Sequence, residues 1–96
     1  MSSFDEVIHQ ATRLRIMSAL NVLHPNDWIE FMRLKAAVSA SDGNLGTHLE
    51  TLERAGYVEV NKQFADRKPQ TRIRLTRTGC KAYSGHILYL RSLLDL

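Results

Sequence analysis

The chain has 96 residues and a single cysteine, Cys80. That is too few for an internal disulfide and fits a reducing compartment, so a cytoplasmic protein is expected. No apolar run approaches the ~20 residues needed to span a bilayer. The N-terminal Met1-Ser2-Ser3-Phe4-Asp5-Glu6 lacks the basic flank and apolar stretch of a signal peptide. Metal-ligand spacing is missing as well. His9, His24, His48 and His86 are scattered, with no Cys-x-Cys or His-x-x-His pair, so neither a metal nor a cofactor is expected. A Gly-rich phosphate loop, a nucleophile elbow and a carboxylate pair in a catalytic setting are all lacking, which argues against an enzyme. No repeat, low-complexity tract or linker interrupts the chain, and its 44% hydrophobic content suits one small globular domain over residues 1–96.

Acid is scarce in one stretch. Residues 62–81 carry Lys62, Arg67, Lys68, Arg72, Arg74, Arg77 and Lys81 against the single acid Asp66, a local charge of +6 in a chain whose net charge is +3. A merely soluble surface intersperses both signs, whereas segregation of this kind suits a polyanion-binding surface.

The most informative stretch is Ser41 to Leu52. Drawn as a helix, it places Leu45, Leu49 and Leu52 at i, i+4, i+7, a stripe that requires a core. Asn44, Thr47, His48 and Thr51 occupy another face. A solvated helix face is normally charged; one of short polar side chains beside Gly43 and Gly46 suits close approach to a polar surface such as DNA. Ser41 is a good N-cap, and Gly56 suits the C-terminal end of a helix over about 41–55.

The remaining elements follow in order. Ser3-x-x-Glu6 has the form of a capping box and opens helical sequence over about 4–23, as one bent helix or as two with Thr12 capping the second. His24-Pro25-Asn26-Asp27 ends it. Trp28-Ile29-Glu30 fits a very short strand, and 31–38 a brief helix. Residues 57–62 and 71–75 alternate as strands, with Ile73 and Leu75 inward and Arg72 and Arg74 outward. Phe64–Gln70 reads as a polar tip, giving a hairpin over 57–75. A long helix, 76–95, closes the chain with Thr76 or Thr78 as cap. A helix pair joined by a tight turn and followed by a basic hairpin is the winged helix-turn-helix order, an α+β fold that is mainly helical with a small hairpin.

These pieces resemble a winged-helix DNA-binding domain of the MarR/ArsR type. The matching motifs are Val7-Ile8-His9, Arg13-Leu14-Arg15-Ile16-Met17, Asp42-Gly43-Asn44-Leu45 with His48-Leu49, Leu52 to Val58, Arg67-Lys68-Pro69-x-Thr71, and Leu75-Thr76-x-x-Gly79. The resemblance implies a homodimeric transcriptional regulator on a palindromic double-stranded DNA operator, with Arg67 of the Asp66-Arg67 wing tip entering the minor groove. The flanking helices are shorter than in larger MarR proteins, so no effector is assigned.

Within that frame, helix 41–55 is expected in the major groove. Asn44 suits bidentate pairing with adenine, Thr47 and Thr51 a phosphate or thymine methyl, and His48 a phosphate or base acceptor. Ser41 and Gly46 complete this surface, with free N–H groups at the helix N-terminus facing phosphate. The lack of Arg or Lys among these positions implies reliance on DNA shape. In the wing, 62–74, Asp66 is expected to brace Arg67, while Lys62, Lys68, Arg72 and Arg74 meet phosphates. Tyr83, Ile87, Leu90 and Leu94 form a stripe on the last helix which, with Phe4 and Val7, is expected to make the dimer interface. The competing expectation is a winged-helix protein–protein interaction module without direct DNA binding, which has no need of a +6 hairpin.

Overall fold

The computed structural model describes residues 2–95. In chain order the elements are α1 (Ala11–Asn21), β1 (Ile29–Glu30), α2 (Phe31–Val38), α3 (Asp42–Arg54), β2 (Val58–Ala65), β3 (Lys68–Leu75) and α4 (Arg77–Leu94). The strands form one antiparallel sheet in the order β1-β3-β2. This is the winged-helix α+β arrangement. Ile16, Met17 and Leu20 of α1 meet Leu34 and Val38 of α2, all three leucines of the α3 stripe, and Val58 and Ile73 of the sheet. At ~25 cal/mol per Å² of apolar surface, burial of this set is the dominant stabilising term. Among the described residues no helix is long and apolar enough to cross a membrane.

The α3 helix forms where its end signals lie. The Ser41 hydroxyl accepts the Asn44 N–H at 3.2 Å. Asp42 at the positive end and Arg54 at the negative end both suit the helix dipole. Gly56, at φ 81, takes the left-handed conformation just beyond the end. Lys35 at the end of α2 reaches Asp42 at 2.6 Å, fixing the turn between the two helices.

The N-terminal segment departs from the expected helix over 4–23. Asp5, rather than Ser3, caps a single turn by accepting the Ile8 N–H at 2.9 Å. The chain then extends at Gln10, whose side chain caps α1 by accepting the Arg13 N–H at 2.8 Å. Thr12 is therefore already inside the helix. Two successive caps break the helix because other donors are used elsewhere: Ser3 N–H binds Gly85 C=O at 3.0 Å, and Asp5 N–H binds His86 Nδ1 at 3.0 Å.

The hairpin also differs. Its strands run eight residues each, and Ala65 pairs with Lys68, leaving only Asp66-Arg67 as the turn. Both turn residues have positive φ, 51° and 66°, the signature of a type I′ turn whose twist matches the strands. Pro69 pairs with Phe64 next to the narrow Ala65–Lys68 pair. There its nitrogen points to the edge that two-residue β1 leaves open, so no ladder bond is lost.

The start of α4 is locked to the sheet. Thr76 accepts the Gly79 N–H at 2.9 Å and donates to Gly56 C=O at 2.6 Å. A Cβ on Gly79 would lie 2.1 Å from the Tyr57 carbonyl oxygen. Further along, Tyr83 bonds Ser18 of α1 at 2.9 Å between hydroxyls. The described residues extend 53 Å along one axis and 24 and 21 Å along the others, since the hairpin and the end of α4 run past the core.

Candidate nucleic-acid interface

The exposed surface of α3 follows from its buried stripe. With Leu45, Leu49 and Leu52 inward, Asn44 and Thr47 are exposed and Thr51 is half-buried. Thr51 donates to Thr47 C=O at 3.3 Å, so its hydroxyl proton is held by the helix backbone and its oxygen keeps its capacity to accept. The same stripe continues one turn further than the sequence reading took it. Asn44, Thr47, Thr51 and Arg54 step by 3, 4 and 3, and Arg54 is exposed. Glu50 is exposed beside Thr47 on the neighbouring row. The expectation that no Arg or Lys joins this face is corrected accordingly. The same helical spacing that picked out the threonines identifies Arg54.

Ser41 is occupied as the cap, and Gly43 and Gly46 have nothing within 4 Å of a would-be Cβ. Both glycines line a cleft between α3 and the hairpin together with Phe31, the acids Asp42, Glu50 and Glu53 of α3, and Lys62 and Thr71 of the sheet. His48 is placed otherwise than expected. It is half-buried, and its Nδ1 lies 3.1 Å from the Arg13 guanidinium, which also donates to Val7 C=O. Desolvation, then the Arg13 charge, hold its pKa below 6.5. His48 is thus a neutral ring with Nδ1 as acceptor, and Nε2–H is the one donor left for a ligand.

The hairpin presents two faces. Val58, Val60, Lys62 and Phe64 alternate onto the side facing α3, as do Ile73, Thr71 and Pro69 across from them. Lys62, Arg67 and Lys68 are exposed, and the two ion pairs found among the described residues, Lys35–Asp42 and Arg74–Glu59, involve none of them. The expected brace between Asp66 and Arg67 is not formed, because two successive left-handed residues in a tight turn carry their side chains apart. Arg72 and Arg74 point to the opposite face. Their guanidiniums lie 4.3 and 4.4 Å from the centroid of the Trp28 ring. Arg72 also donates to Asn61 Oδ1 at 3.3 Å, and Arg74 to Glu59 at 2.8 Å. Both are half-buried and held by partners within the fold, where the sequence pattern led us to expect free side chains. Trp28, one residue ahead of β1, is the partner the sequence reading overlooked.

Comparison with known proteins agrees with this geometry. Residues 12–94 match the family described as winged helix DNA-binding domain. The chain belongs to that family. It is 32% identical over 82 residues to the uncharacterized protein MJ0432 of Methanocaldococcus jannaschii, covering 85% of this chain and 86% of that protein. The structure of a transcriptional regulator homologue from Pyrococcus horikoshii OT3 superposes with a TM-score of 0.83 at 28% identity, covering 95% of this chain and 87% of that one. A MarR family regulator from Silicibacter pomeroyi shares the fold with a TM-score of 0.70 at 19% identity, over 93% of this chain and 57% of that one.

In this winged helix the six residues expected at a dimer interface do not share one environment. Val7 and Tyr83 pack against the core of their own protomer. Ile87 and Leu90 are half-buried. Phe4 is 49% exposed and lies against the rings of His9, His86 and Tyr89, and Leu94 is 81% exposed. Leu93, which runs alongside that stripe, and Leu88 are exposed beside them. His86 is fully buried; it accepts from Asp5 N–H through Nδ1, so its Nε2–H donates to His9 Nδ1 at 3.1 Å. Burial, then the neighbouring His9, lower its pKa, against a smaller opposing effect of Asp5. Among the described residues no three His, Cys, Asp or Glu side chains gather where they would hold a metal ion.

Proposed function

We propose that this winged helix is a homodimeric transcriptional regulator that reads double-stranded DNA, with α3 in the major groove and the Asp66-Arg67 turn against the adjacent minor groove. One observation carries the reading. The outward stripe Asn44, Thr47, Thr51 and Arg54 and the cations Lys62, Arg67 and Lys68 stand on neighbouring elements, and among the described residues none of these cations is in an ion pair. Asn44 suits adenine N6/N7 and Arg54 suits guanine O6/N7 or a phosphate. The hairpin cations supply affinity through counterion release. The apolar end of α4, with Leu88, Leu93 and Leu94 exposed, would pair two protomers so that two α3 helices sit about 34 Å apart on successive major grooves.

Selection of bound sequences from random DNA tests all of this together. The expected product is an inverted repeat with half-sites about one helical turn apart, bound with an affinity that falls steeply with salt. Enrichment of no sequence, with binding insensitive to salt, would overturn the DNA reading. A solitary half-site bound by a monomer at micromolar protein would remove only the dimer.

A further inference from the structure

Phe64 is 78% exposed, although folding gives it no place. It stands on the sheet face that buries Val58 and half-buries Val60, two alternations beyond Val60. At ~3.3 Å per residue, that is about 13 Å past the last apolar residue of this face packed against the core. Its cross-strand neighbour is Pro69, also exposed, so the pair makes a small apolar ridge on the side of the hairpin that faces the α3 cleft. Toward the tip the charge around the ridge is cationic: Lys62 shares its face, Arg67 stands at the turn beside Asp66, and Lys68 starts the outer face of β3, while the acids Asp42, Glu50 and Glu53 lie in the cleft on the α3 side.

A ridge docking against an apolar protein surface has no use for three unpaired cations at its rim. A duplex does, because phosphates line both walls of a minor groove while the floor between them is stacked base. From this charge complementarity we infer that Phe64 is a wedge that inserts at a base step of the minor groove beside the α3 site, with Arg67, Lys68 and Lys62 on the flanking phosphates. The inference rests on the DNA-binding reading above and adds to it a deformation of the DNA. Partial insertion of an apolar side chain unstacks one step, opens the minor groove and bends the duplex away from the wedge. Pyrimidine–purine steps, TA and CA/TG, unstack most readily, so Phe64 confers a sequence preference at a position it does not hydrogen-bond.

The test uses the full chain and a duplex enriched by selection from random DNA, labelled at both ends for energy transfer and carrying 2-aminopurine at the step under the hairpin. The wild type is expected to shorten the end-to-end distance, brighten the 2-aminopurine and enrich TA or CA/TG at that step. Phe64→Ala should straighten the duplex, abolish the brightening, flatten the step preference and weaken binding about tenfold. Phe64→Leu should retain most of the bend. Phe64 lies outside the core, so the thermal midpoint of Phe64→Ala should equal that of the wild type, which excludes unfolding as the cause. A wild-type complex with straight DNA, or a Phe64→Ala complex bent as much as the wild type, overturns the wedge and leaves DNA binding standing. A wild type that binds no duplex overturns both.

Discussion

At the base of the hairpin, Arg72 and Arg74 lie against Trp28 and reach Asn61 and Glu59. At its tip, Arg67 and Lys68 share the same basic stretch, yet among the described residues no ion pair or aromatic ring holds them. The difference arises from register. Glu30 pairs with Arg72, which places Trp28 opposite Arg74 and above the outer sheet face. Beyond Arg72, β1 has ended, and Arg67 and Lys68 at the tip are exposed. Cations over an aromatic face with carboxylate and amide partners stabilise the fold. The same residue types a few positions along have unspent hydrogen-bonding capacity and suit a ligand. A single charge count over 62–81 merges these two roles.

Four changes test this division, beginning with the largest effect. Gly79→Ala would press a methyl into the Tyr57 carbonyl, which closes the base against α4. It should destabilise the protein by about 3 kcal/mol or more, or prevent folding, as read by denaturant unfolding. Trp28→Ala removes the ring shared by two guanidiniums and should cost about 2 kcal/mol in the same assay. The folded fraction should still bind DNA with affinity near wild type.

At the tip the pattern should reverse. Arg67→Gly should weaken DNA binding about tenfold and lower the salt slope by about one. It should leave stability unchanged or raised by about 0.5 kcal/mol, because glycine adopts φ 66° without the cost borne by arginine. Arg74→Ala should alter affinity less than about twofold, with an unchanged salt slope. A tenfold loss there, or none for Arg67→Gly, would abolish the distinction between base and tip.

The smallest effect is on pH dependence. His48 and His86 both have pKa values lowered from 6.5, so their neutral forms favour the fold. Stability should be complete above pH 6.5 and decline as pH falls through the depressed values. Tyr57 behaves oppositely. Burial, then its hydrogen bond to the Asp5 carboxylate and that charge, raise its pKa from 10.0 to about 12. Its contribution should persist below pH 10.0 and fade as pH rises through about 12. Thermal midpoints across pH, repeated with Tyr57→Phe and His86→Gln, check both limbs.

Much of the α3 surface was legible because it depends on one periodicity: the leucine stripe fixes the inward direction, and the rest of the helix follows. Arg54 was available from the same spacing. The wing tip was harder. Asp66-Arg67 lacks the glycine that marks a two-residue turn, and Pro69 imitates a strand end. His48 read as a free donor because Arg13, 35 residues away, is its partner only after α1 packs beside α3.

Local chemistry determined the element order, the Ser41 cap, the short β1 and the buried stripe, since each depends on residues within a turn or a strand pair. The choice between a hydrogen bond along the chain and one across it belonged to tertiary structure. Asp5 and His86 drew the N-terminal segment off its helix and onto α4, and the pairing of β1 with β3 decided which arginines were held and which were left free. Those outcomes depend on groups 81 and about 45 positions apart meeting in space, at distances in sequence that no periodicity spans.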